Sequence, residues 1–110
     1  MMMNARTYMR MVLDLYLQIP GTPSRICAND RALARQWFAR QIRIDIVETA
    51  LLLGTARRMF RSSEALRLAP IRSMAYFAPV VDELVHQPSP KNYIDYLRHK
   101  LGFKTSMDAG

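Results

Sequence analysis

From Arg6 to Gln18, apolar residues fall at Met9, Val12, Leu13, Tyr16 and Leu17, the three-and-four spacing that lines one face of an α-helix. The run stops at Ile19-Pro20-Gly21-Thr22-Pro23-Ser24, where proline takes its predecessor out of the helical region and glycine frees the chain to turn. After a short linker, Asn29 or Asp30 can cap a second helix by accepting first-turn amide protons. Its buried stripe is Leu33, Ala34, Trp37 and Phe38, and it is expected to run to about Gln41. A break near Ile42 to Ile44 precedes Asp45, which suits a further helix start. Ile46, Val47, Ala50, Leu51, Leu53, Gly54 and Phe60 then recur with helical period. This third helix is the most apolar and is predicted to be central. Gly54 inside it costs about 1 kcal/mol against alanine, so a close helix crossing is predicted there.

Arg61 to Pro70 reads as a loop. The segment Ile71 to Pro79 opens a fourth helical stretch with Ser73 as its cap, and Pro79 either kinks it or sets the first turn of a new helix through Val80, Val81, Leu84 and Val85. Ser89 before Pro90 predicts a last helix over Lys91 to Leu101, ended by Gly102. The pattern therefore predicts an all-α fold: a compact bundle of about five helices with no sheet. Residues 1–102 are expected to form a single domain and 103–110 a flexible C-terminal tail.

The composition agrees with one packed core, since half of the 110 residues are hydrophobic and 23% are charged. It also narrows the chemistry. The single cysteine, Cys27, cannot close a disulfide within the chain, and with His86 and His99 far from it in sequence it offers no zinc-ligand spacing. No serine stands in a glycine-framed elbow, no glycine-rich phosphate loop is present, and the adjacent Asp82 and Glu83 diverge on a helix instead of converging on one site. Neither an enzyme nor a cofactor is expected. The apolar runs Thr49–Ala56 and Ser73–Val81 fall short of the roughly 20 residues that span a bilayer. Asp14 interrupts the N-terminal stretch where a signal peptide would be apolar. The expectation is a cytoplasmic protein with no membrane partner.

Charge carries more information. The net charge is +7, and residues 1–61 supply +6 of it through ten arginines set against Asp14, Asp30, Asp45 and Glu48. Arginine outnumbers lysine thirteen to three. The planar guanidinium suits bidentate phosphate recognition, although a GC-rich genome would give the same bias. Arg31 and Arg35 lie four apart on the face opposite Trp37. Arg57, Arg58 and Arg61 gather at the C-terminal end of the third helix, where the helix dipole alone also favours cations. Arg31, Arg35, Arg40, Arg43, Arg57, Arg58 and Arg61 are the candidate nucleic-acid contacts. The aromatic residues Trp37, Phe38, Tyr76 and Phe77 are read as core and not as stacking platforms.

The pattern Ala32-Leu33-Ala34-Arg35-Gln36-Trp37, then Ile44-Asp45-Ile46-Val47-Glu48-Thr49-Ala50, an arginine-ended helix, and Ile71 through Glu83 with its Ile-x-Ser-x-x-Tyr-Phe-x-Pro signature, resembles a known module. It is similar to the helical C-terminal part of phage and plasmid replication-initiation proteins related to DnaD, over about half the chain. The resemblance implies DNA contact and self-association. The winged-helix domain that family carries ahead of the module has no evident counterpart here, which fits a short accessory protein of a mobile element. In size and charge alone the chain also resembles the small helical subunits of CRISPR surveillance complexes, a larger nucleoprotein setting. The expected function is a basic accessory protein of replication or of a mobile genetic element, holding the DNA or RNA backbone through arginines without catalysis. The alternative is a helical adaptor or inhibitor whose basic face meets an acidic protein.

Overall fold

The computed structural model describes residues 3–23, 25–61, 68–88 and 93–101. It is all-α. The helices are α1 (Ala5–Leu17), α2 (Ala28–Ala39), α3 (Ile44–Met59), α4 (Ala78–His86) and α5 (Tyr93–Leu101), with a 3₁₀ turn over Met74–Phe77 leading into α4. No strand occurs among the described residues. The predicted cap at Ser89 and Pro90, the stop at Gly102, the tail from 103 and most of the 61–70 loop lie outside them.

Helix ends follow local hydrogen bonding. Asn4 starts α1, its Oδ1 accepting the Thr7 amide at 2.8 Å. The start of α2 differs from the expected Asn29 or Asp30 cap, for Cys27 holds the capping position. Asp30 lies three residues inside, and its Oδ2 accepts the Cys27 amide at 3.0 Å, the reciprocal half of a capping box. Its Oδ1 accepts the Met74 amide at 2.9 Å, so one buried carboxylate joins the start of α2 to the 3₁₀ turn. Two residues earlier than expected, α2 ends at Ala39. Gln41 adopts a left-handed φ of 59°, and the Ile42 and Gln41 amides return to the carbonyls of Trp37 (3.0 Å) and Phe38 (2.9 Å). That is a Schellman stop, with Ile42 and Trp37 both buried beneath it.

The third helix is central, as its apolar content predicts. It is buried on Ile44, Val47, Ala50, Leu51 and Leu52 among others, and α1, α4 and α5 pack around it. Thr49 and Thr55 sit in this environment with their hydroxyls donating to carbonyls one turn back, Asp45 and Leu51, each at 2.7 Å. Gly54 marks the predicted crossing. A Cβ there would lie 2.7 Å from Cδ1 and 2.8 Å from Cε1 of the fully buried Phe77. Of the two roles open to Pro79, the structure has the second: it stands in the first turn of α4, where its missing amide proton breaks no helical bond.

Trp37, Tyr16, Phe77, Leu15 and Leu51 fill the core. α1 and α2 run antiparallel, since Tyr8 near the start of α1 packs edge-on against Phe38 near the end of α2 at 5.3 Å. The Tyr8 hydroxyl donates to the Ile42 carbonyl at 2.6 Å. α5 docks chiefly on α3, burying Leu97 and Leu101. With them goes an ion pair: Arg98 donates from Nη2 (2.6 Å) and Nε (3.1 Å) to Oε2 of Glu48, whose side chain is 1% exposed.

Candidate nucleic-acid interface

The arginines divide into those engaged by the protein and those turned to solvent. Arg57, at the end of α3, donates from Nη1 (3.0 Å) and Nη2 (2.6 Å) to the two carboxylate oxygens of Glu83 on α4. That bidentate bond holds the Glu83 carboxyl below its usual range and raises Arg57 above its own. Arg58 donates to the Ala69 carbonyl at 3.0 Å and lies over the Tyr76 ring, 5.1 Å from its centroid. Arg40 reaches Asp82 of α4 at 3.0 Å, and Arg43 pairs with its near neighbour Asp45 at 3.1 Å. Asp82 and Glu83 diverge on α4, Asp82 receiving Arg40 from just past the end of α2 and Glu83 receiving Arg57 from α3. Arg61 is exposed just beyond α3.

Arg31 and Arg35 are different. Both are exposed on α2 and neither meets a carboxylate. The same holds for Arg6 and Arg10, four apart on α1, and for Arg25 and Arg72. The side chains on α1 and α2 that bury against the core are Tyr8, Val12, Leu15 and Tyr16, and Asp30, Ala34 and Trp37, so each arginine pair stands off that stripe. The only acids on these helices are Asp14, which is exposed, and Asp30, which is consumed by its two amide bonds. Two arginine pairs on neighbouring antiparallel helices thus keep their full hydrogen-bonding capacity. Arg6 and Arg10 were outside the set expected from sequence, although their spacing on the face away from Val12 and Tyr16 carries the same signal as that of Arg31 and Arg35.

The aromatic expectations divide as well. Trp37 and Phe77 are buried and Phe38 is partly so, but Tyr76 is 40% exposed, because the 3₁₀ turn gives Met74 and Phe77 to the core and leaves Tyr76 outside under Arg58. A mostly apolar groove of about 620 Å³ opens between the start of α1 and the α2–α3 junction, lined by Met3, Tyr8, Phe38, Ile42, Arg43 and Ile44. Among the described residues no three His, Cys, Asp or Glu side chains are grouped to hold a metal ion, and no helix is long and apolar enough to cross a membrane. No family model, curated protein or solved structure matches the chain.

Proposed function

We propose that this protein is a non-catalytic nucleic-acid-binding accessory factor that grips backbone phosphates through arginine. The observation that carries the reading is the pair of solvent-facing arginine couples, Arg6 with Arg10 and Arg31 with Arg35, none of which meets a carboxylate. A guanidinium with all its donors available offers a phosphate two parallel bonds. One already clamped on Glu83, as Arg57 is, must first give up that pair. The resemblance to the DnaD-related module supports a role in replication or in a mobile element. It also favours DNA as the ligand.

Fluorescence anisotropy with duplex DNA over a range of salt concentrations tests the reading. Log affinity is expected to fall linearly with log salt, each phosphate contact adding a slope of about 0.9. Changing both Arg31 and Arg35 to alanine should weaken binding to every sequence alike and flatten the slope by about two units. Arg40→Ala, whose guanidinium is held by Asp82, should leave the slope near that of the wild type. Absence of any binding at low salt would overturn the proposal and leave the adaptor with an acidic partner.

A further inference from the structure

Among the exposed large hydrophobic side chains of the described residues, three are aromatic: Phe60, Tyr76 and Tyr96. Each lies against a cation. Arg58 covers Tyr76, while the Lys100 ammonium sits 5.0 Å from the Phe60 centroid and 6.0 Å from that of Tyr96. Phe60 closes the C-terminal end of α3, and Tyr96 and Lys100 lie on α5. Tyr96 also stacks on Tyr93, with centroids 6.0 Å apart and ring planes 18° from parallel. Phe60 and Tyr96 are 53% and 54% exposed, so the docking of α5 on α3 does not bury them. The one acid on α5, Asp95, is engaged by Arg98 at 3.3 Å, and Lys100 has no carboxylate partner.

We infer that Phe60, Tyr96 and Lys100 form a stacking platform for single-stranded DNA: the Lys100 ammonium swings off the rings to the phosphate, and the ring faces it covered take unpaired bases. The inference rests on the nucleic-acid reading and narrows its ligand to an unpaired strand. Stacking on protein aromatics requires free base faces, which a duplex keeps inside its own stack. Charge fits as well: the ammonium between the rings attracts a backbone that carries one anion per nucleotide, and no unengaged carboxylate on α5 opposes it. Oily packing against another protein would not need a lysine bridging two half-exposed rings.

The test uses the full chain, a labelled oligothymidylate of about 20 nucleotides and a duplex of the same length, at low salt. The wild type is expected to bind the single strand more tightly than the duplex. Changing Phe60 and Tyr96 together to leucine keeps bulk but removes the π faces. It should lower single-strand affinity at least tenfold, by the usual worth of one stacked base, and leave duplex affinity unchanged. Phe60→Trp and Tyr96→Trp should retain single-strand binding, and ultraviolet cross-links to thymine should map to Phe60 or Tyr96. If the leucine variant binds the single strand as well as the wild type does, the platform is overturned while phosphate binding stands. If the wild type binds neither oligonucleotide, the nucleic-acid reading falls and the platform with it. Because both rings are half-exposed, an unchanged melting temperature separates lost stacking from lost folding.

Discussion

Gly54 and Phe77 hold positions that a single methyl group would make incompatible. Alanine at 54 would gain helix propensity of about 1 kcal/mol, but its Cβ would stand 2.7 Å from a ring with no room to retreat. Overpacking of that kind costs about 1–3 kcal/mol, so Gly54→Ala is expected to lower stability in urea unfolding; a more stable variant would show that the ring moves freely. Trp37, 1% exposed, is the opposite case, and its replacement by alanine should cost roughly 3–5 kcal/mol through the cavity it leaves. Tyr8 and Tyr16 make a third prediction. Burial raises both phenols from 10.0 to about 12. A group whose folded value is raised stabilises fully below its unfolded value and loses that contribution as pH rises. Denaturant midpoints should therefore hold up to about pH 10 and fall between 10 and about 12, in step with late tyrosinate absorbance. An alkaline midpoint that stays flat across that window would contradict the burial.

At the scale of elements, two ends are set by unusual residues. The Schellman stop of α2 puts Gln41 where glycine is commonest. Gln41→Gly should relieve the left-handed strain and raise stability by up to about 1 kcal/mol, less whatever entropy the freer unfolded chain regains. Asp30→Ala removes the acceptor of two amides on separate elements. Bonds to a charged group contribute about 1.5–3 kcal/mol each, so a loss above 3 kcal/mol is expected by denaturant titration. These ends also show what the sequence could reveal. Helices were legible because Val12 with Tyr16, and Ala34 with Trp37, recur at helical spacing, and Gly54 stood out because glycine needs a reason inside a helix. The caps were not, because Cys27 and Gln41 lack the chemistry usual at such positions and work through the backbone bonds around them. Asp30 was legible as a carboxylate at the start of α2, but neither its place three residues inside the cap nor its bond across to Met74, 44 positions away, was.

For the molecule as a whole, position decides which charges remain available. The spacing of Arg31 and Arg35 could be read directly, since a face opposite Trp37 must meet solvent. That Arg57 would be clamped by Glu83, 26 positions on, depends on how α4 crosses α3, and no local pattern encodes it. Exposed pairs of this sort are screened by solvent, so they orient side chains more than they hold the bundle together. The buried pair differs. Removing one partner of such a pair costs about 3–5 kcal/mol, whereas replacing both by apolar groups of similar volume is often neutral. Arg98→Met should accordingly destabilise more than Arg98→Met combined with Glu48→Leu, as measured by thermal melts. Since α5 rests chiefly on α3, it is held by this contact, by the buried Leu97 and Leu101 and by the partly buried Tyr93 and Ile94. Such a helix can open without the rest, and its amides should exchange with solvent deuterium sooner than those of α3. Each opening parts Tyr96 and Lys100 from Phe60. The lifetime of that surface is then the lifetime of the docked helix, and a strand lying across both elements would be felt first as slower exchange in α5.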